Sequence, residues 1–443
     1  MRKLLLSVIL VAGVAVSCQR EPSVVAPPDN QSIEVVTSEY AISEEEALAR
    51  LDIELSSIYG ETTRSSERRI RHIEPLRYSD ISSSTRATNA DIDELLYIVE
   101  FEDDQGSAIL GADYRVEPVF AILEDGTITA ENFRDAAAGK NMDDIATFLA
   151  GCIANEAIEQ ASFIPIEPEP IVPGFQLSYW EYDTVAIEHR HAMLMTKWGQ
   201  QSFYDDSCFY IDGRNHPAGC GTIAAAQLVL YNTYPNAYNI SIGNETFNRS
   251  ILNMARYGYT IPSSMTSIVR GEVARYVART ADHILKWEYS SSSSITDIQN
   301  FLDSIIGYSY TSIVDNYDGI FEIEMRNNIY IAGKPLAISV DYDLMNQGHL
   351  WLIDGYYYDN VDWYWCTKEG NKIISREYIK TTESKKVHAN FGWYGRCDGY
   401  YAYSIFDVSE PLDSEDIDTS VGDLIGTQPI NLQYDMKILV YNF

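Results

Sequence analysis

Apolar positions are distributed in three regimes along the chain. From Leu4 to about Val16 they form an almost unbroken run behind Arg2 and Lys3. A run that short, with a basic start and ending at Ser17-Cys18, predicts a signal peptide over residues 1–17 rather than a membrane-spanning helix. A cysteine directly after the small residue predicts a bacterial lipoprotein, with Cys18 lipidated after cleavage. Residues 18–40 carry Pro22, Pro27, Pro28 and many polar groups, and read as a disordered tether.

Beyond the tether, short apolar blocks recur with helical or strand periodicity. I-S-E-E-E-A-L-A-R-L-D-I-E-L (42–55) predicts a helix with Ser43 as N-cap and Glu46 three residues on. Strands are expected at 95–101, 107–112 and 118–124, and a helix at 141–160. I-P-I-E-P-E-P-I-V-P-G (164–174) breaks both helix and ladder with four prolines and predicts an exposed linker. The resulting organisation is a small α+β unit at 41–161, a linker and processing region at 162–194, and a larger domain at 195–443. In the larger domain helices are expected at 220–232, 271–286 and 295–306. Strands are expected at 334–342, 349–354, 386–392, 400–406 and 436–442. Y-Y-Y-D-N-V-D-W-Y-W-C-T-K-E-G-N-K (356–372) predicts an extended, Tyr/Trp-rich hairpin between two of these strands.

The candidate chemistry sits in the larger domain. A-G-C-G-T-I-A-A-A-Q-L-V-L (218–230) puts Cys220 where a loop gives way to a helix. A helix start offers backbone N–H groups and a partial positive charge that favour a thiolate, and the same groups can stabilise an oxyanion. A cysteine nucleophile needs a base and the base an orienter. Of the 7 histidines, His349 in G-H-L-W-L-I-D-G and His388 in V-H-A-N-F-G-W lie on predicted strands. His72, His189, His191, His216 and His283 read as surface or packing residues. With 65 acidic against 32 basic residues the net charge is −33, which disfavours nucleic acid as a partner, so none is expected. No metal-ligand spacing or phosphate-cradling glycine motif occurs, so no metal and no cofactor is expected. Cys152, Cys208, Cys366 and Cys397 are expected to be mostly free; Cys366 with Cys397 is the pairing to check first.

Three blocks carry a resemblance: A-G-C-G-T-I-A-A-A-Q with Y-N-T-Y-P (231–235), then G-H-L-W-L-I-D-G (348–355), then H-A-N-F-G-W-Y-G with D-G-Y-Y (398–401). In this order they resemble the signature blocks of the streptopain family of papain-like cysteine peptidases, which are made as zymogens. The resemblance implies an α+β, papain-like fold of two subdomains with the cleft between them, preceded by a small α+β pro-domain at 41–161. It implies Cys220 as nucleophile, His349 as base and Asn390 as its orienter, with His388 as the rival base. Gln200, or Gln201 one position on, matches the upstream glutamine that donates to the oxyanion. The family places Trp directly after the Asn; here Phe391 stands there and Trp393 follows two residues later, so these two are the expected aromatic shield. Implied partners are protein or peptide substrates, the chain's own pro-domain as inhibitor, and a membrane reached through a lipid at Cys18. The expected location is the bacterial cell envelope, at the outer membrane, with the catalytic domain released on processing. The alternative is a non-catalytic surface binding protein on a degenerate peptidase scaffold.

Overall fold

The structure, a computed structural model, describes residues 40–60, 68–81, 94–142, 144–162, 177–211, 214–233, 238–256, 267–285, 293–316, 319–342, 347–369, 372–406 and 435–442. Cys18 and the proline-rich stretch 163–176 lie outside the described residues. Residues 38–443 form one compact unit.

Helix α1 (Glu44–Tyr59) begins where the sequence predicts. The Ser43 hydroxyl accepts the Glu46 N–H at 3.2 Å, while Glu46 itself turns to Arg50 and the Tyr114 hydroxyl. Strands β1 (Ile70–Arg77), β2 (Glu94–Phe101), β3 (Ser107–Gly111) and β4 (Val119–Leu123) follow as an antiparallel meander, then helices α2 (Ala130–Ala137) and α3 (Ile145–Ser162). Of these, β1 and α2 are additions to the sequence expectation. Strand β5 (Leu177–Arg190) opens the second half, followed by α4 (Cys220–Asn232), α5 (Ser267–Ile284) and α6 (Ile295–Phe301). The remaining sheet strands are β6 (Ser309–Asp315), β7 (Leu336–Tyr342), β8 (Gln347–Glu369), β9 (Lys372–Asn390), β10 (Gly399–Ala402) and β11 (Asp435–Asn442).

All eleven strands belong to one sheet, in the order β1-β2-β3-β4-β10-β9-β8-β7-β11-β6, with β5 paired to the far half of β8. The small N-terminal unit is therefore no separate layer. Its edge strand β4 pairs antiparallel with β10, Ala121 opposite Tyr401, Ile122 opposite Tyr400 and Leu123 opposite Gly399. The Glu124 N–H continues the ladder to the Asp398 carbonyl at 2.8 Å. An edge strand left bare would be an open template, and here each edge satisfies the other.

Side chains alternate across the sheet, and three cores result. On one face α3 places Phe148, Leu149 and Ile153 against Trp351, Ile353, Phe391 and Tyr401, so N-terminal and C-terminal halves share one core. On the opposite face α4 and α5 pack Ile223, Leu228, Val273 and Val277 onto Leu350 and Leu352. Also on that opposite face, α1 packs Leu51 and Leu55 onto Tyr97, Val99, Tyr357 and Tyr400. Each such buried large side chain stabilises by roughly 1.5–3 kcal/mol.

One expectation changes and another is extended. The linker and processing region at 162–194 contains β5, which pairs with β8 from Leu177 opposite Lys368 to Arg190 opposite Tyr356. The prolines end at Pro173, and the backbone after them is free to join a ladder. The strands expected at 349–354 and 386–392 are β8 and β9, and they continue into the hairpin to form, with β5, a three-stranded arm. Cys152, Cys208, Cys220, Cys366 and Cys397 are free thiols, so Cys366 and Cys397 are not bridged.

The seam between β4 and β10 leaves no room at Gly399, where a Cβ would lie 2.3 Å from the Ile122 carbonyl oxygen. Gly399→Ala is expected to destabilise the chain by on the order of 1–3 kcal/mol, read as a lowered urea midpoint. An unchanged midpoint would show that the seam yields without cost.

Candidate active site

Helix α4 starts abruptly at Cys220 because Gly219, its N-cap, adopts φ 82°, a conformation other residues resist. The thiol is half-buried. It takes backbone N–H groups from Leu350, Gly221 and Cys220 itself, which favour the thiolate. Burial is the larger influence and pushes the thiol up from its ordinary value. In this conformation the sulfur is therefore held as a thiol, in a cradle of N–H donors that suits a developing oxyanion.

Leu350 reaches Cys220 because β9 ends at Asn390, opposite Leu352. From there toward Gln347, the β8 edge facing away from β7 has no strand partner among the described residues, and the start of α4 lies there. His349 is the residue before Leu350. Its side chain alternates onto the face of Trp351, and its ring packs against Phe148 of α3, with centroids 5.8 Å apart. Cys220 and His349 thus meet the same stretch of β8 from its two faces.

Asn390 points to the Cys220 face. Its Nδ2 donates to the Thr196 carbonyl at 2.8 Å, and its Oδ1 accepts from Gln227 Nε2 at 3.1 Å and from the Gly392 N–H at 3.3 Å. The structure therefore brings Asn390 to the helix that carries the nucleophile and not to the His349 face. Phe391, next along, faces the other way. It packs on Trp351 at 5.5 Å and on Tyr401 at 5.7 Å, while Trp393 joins the same core from its edge. Both aromatics lie on the His349 side and neither covers Asn390.

Of the two glutamines, Gln200 is the one tied to the cysteine loop: its carbonyl accepts the Ala218 N–H at 2.8 Å. Its Nε2 is buried with no hydrogen-bond partner among the described residues. A buried, unspent donor on a residue bonded to the nucleophile loop suits an oxyanion donor. Gln201 is exposed, and its N–H donates to the Tyr394 hydroxyl at 3.0 Å.

His388 has a different environment. Its Nδ1 bonds Asp354 Oδ1 at 2.6 Å, and its Nε2 faces Glu124 of the N-terminal half at 3.7 Å. Burial pushes this imidazole down, but Asp354, Glu124 and Asp398 together outweigh it and lift it to about 9. Glu124 also meets Lys197 at 3.5 Å. His388 is thus a buried cation of the seam. A second one stands two residues earlier: Lys386 Nζ lies 2.9 Å from Glu54 and 3.8 Å from Glu117. Burial raises Glu117 to about 7. Asp354, Gln227 and Glu124 were not singled out from the sequence. Gln227 left a trace, as the one polar residue in the apolar run Ile223–Leu230.

A helix-borne cysteine among backbone N–H groups, beside the start of a strand that carries a histidine at its third position, is an arrangement suited to thiol chemistry. Residues 198–401 match the model of the Peptidase C10 family. No curated protein matches the chain. Among solved structures, a mutant fragment of prointerpain A from Prevotella intermedia is similar at TM-score 0.49 and 15% identity, covering 85% of this chain and 99% of that one. Active wild-type interpain A cysteine protease from the same organism is similar at TM-score 0.37 and 18% identity, covering 58% and 97%.

The raised value of His388 carries a pH signature. Its stabilising contribution is complete below the ordinary value of 6.5 and is lost as pH rises through about 9. The difference in thermal midpoint between wild type and His388→Gln is expected to shrink between pH 6 and pH 10. A constant difference across that range would show that the imidazole is neutral throughout.

Proposed function

We propose that the chain is the zymogen of a cysteine endopeptidase, in which Cys220 attacks the scissile carbonyl and the unit at 41–161 keeps the enzyme latent. The observation that carries the reading is the state of the two reacting groups. Cys220 sits in its N–H cradle with its thiol pushed up by burial, and the expected base, His349, is packed against Phe148 of the N-terminal unit. A thiol kept protonated by burial is a poor nucleophile until a base takes its proton. In the working enzyme His349 comes to the Cys220 face and takes the thiol proton. The thiolate adds to the carbonyl, the oxyanion is held by the Cys220 N–H and Gln200 Nε2, and His349 returns the proton to the leaving amine. Water then hydrolyses the acyl-enzyme by the same base.

Latency on this reading is a matter of effective concentration as well as contact. The tethered unit is bound through the β4–β10 ladder, the Lys386–Glu54 pair and the Phe148 contact, and it stays in place while the chain is intact. A cut between the two halves removes the tether and lets the unit leave. β5 is paired along the arm, so the cut is expected before Leu177, in the proline-rich stretch of the sequence.

The full chain and its matured form should be compared on casein or a fluorogenic peptide. Maturation is expected to raise specific activity by orders of magnitude, and Phe148→Ala is expected to raise the activity of the uncut chain. Cys220→Ala should be silent in both forms. Equal activity before and after maturation would remove the latency, and activity in Cys220→Ala would remove the nucleophile.

Cys18 is proposed as a lipid-carrying first residue that anchors the chain to the bacterial envelope, a reading that rests on the sequence A-V-S-C behind its basic and apolar run. No helix of the described residues is long and apolar enough to cross a membrane. Cys18→Ser is expected to move the protein from the membrane fraction to the soluble one; an unchanged distribution would exclude the anchor.

A further inference from the structure

Gln227 lies seven residues after Cys220 on α4, two helical turns along, and is 1% exposed. Every other residue from Ile223 to Leu230 is apolar. Its Nε2 donates to Asn390 Oδ1 at 3.1 Å. The orientation of both carboxamides is settled by backbone groups. The Thr196 carbonyl can only accept and takes the Asn390 Nδ2; the Gly392 N–H can only donate and reaches the Asn390 Oδ1. Turning Asn390 over would break both bonds. Gln227 must therefore present its NH2, and this leaves its Oε1 buried with no hydrogen-bond partner among the described residues.

An orphaned buried acceptor costs on the order of 1–3 kcal/mol, and an apolar side chain of the same size would avoid the cost. The helix is otherwise built for apolar packing, so stability alone gives no reason for a glutamine here. A reason appears in what it holds. The bond ties the helix that carries the nucleophile to the last residue of β9, and it fixes the Asn390 oxygen on the Cys220 face of the sheet. That is the face to which His349 must come to work.

We propose that Gln227 is a positioning residue of the peptidase, which acts through Asn390 by fixing the direction of its carboxamide oxygen. The inference rests on the cysteine peptidase reading and on Asn390 as the orienter of the base. Gln227 touches neither substrate nor reacting atoms; its effect passes through one hydrogen bond.

The test is a double-mutant cycle on the full chain, matured in trans by wild-type enzyme where a variant does not mature itself. Gln227→Met, Asn390→Ala and the pair are compared with wild type for kcat, KM and the pH dependence of Cys220 alkylation by iodoacetamide. Met keeps the volume and suits the apolar surroundings, so folding is expected to survive, as a thermal melt checks. Gln227→Met is expected to lower kcat by about tenfold or more at nearly unchanged KM, and to weaken alkylation on the acid side. The double variant is expected to be no slower than Asn390→Ala alone, because residues that act as one unit are not additive. Gln227→Glu, which keeps the length but offers only acceptors to Asn390 Oδ1, is expected to lose at least as much as Gln227→Met. Losses that multiply in the double variant, a change confined to KM, or wild-type kinetics in Gln227→Met would each overturn the proposal. So would wild-type kinetics in Asn390→Ala, since nothing would remain for Gln227 to act through. Residual turnover in Cys220→Ala identifies instead a failure of the peptidase reading itself.

Discussion

The pairing of β4 with β10 is the contact on which the rest of the molecule depends. Three residues from each strand make the ladder, and it turns two sheets into one. Once the strands are joined, α3 has no choice but to lie across both halves, and its Phe148 comes to rest on His349 and Trp351. The same joining places α1 over Tyr357 and Tyr400 on the opposite face. A backbone ladder of this kind is specific in position and indifferent to side chains, so it sets the register that the side chains then exploit. Gly399 is the one position where a side chain would intrude.

Charge gives the seam its selectivity. Lys386 and His388 are buried cations on alternate positions of β9, and each meets an acid from the N-terminal half, Glu54 and Glu124 respectively. Burying a charge is costly unless it is paired and hydrogen-bonded. The two halves therefore complete each other. Without Glu54 and Glu117 Lys386 would lose its two nearest acids, while His388 would keep Asp354 and lose Glu124.

The site beneath the seam is assembled but not engaged. The nucleophile has its N–H donors, the upstream glutamine has a free donor, and the asparagine has its orientation fixed by three partners. The histidine alone is on the other face of β8, against the N-terminal helix. The residue its ring packs on, Phe148, belongs to the N-terminal unit. The start of the helix that carries Cys220 is set locally, by Gly219 at φ 82°.

The helix at 220–232, the cap at Ser43 and the strands near 95–101, 107–112 and 118–124 were legible in the sequence, because each is a local matter of periodicity and capping. The identity of Cys220, His349, Asn390 and Gln200 as candidates was legible too, through residue types in a fixed order. What was not legible was everything that depends on which strands meet. β5 read as linker since its partner, the far half of β8, is well over a hundred residues away, and its own stretch follows four prolines. The extended hairpin was legible, but that β5 joins it as a third strand was not. Nothing in the local sequence marks Phe148 as the neighbour of His349, or His388 as a seam cation. The face each residue occupies follows from the parity of strand register, and a shift of one residue would exchange them all. The sequence by itself determined most of the local elements and offered the candidate groups. Only the tertiary structure decided which of those groups share a face, because register is fixed by long-range pairing and by the burial that it permits.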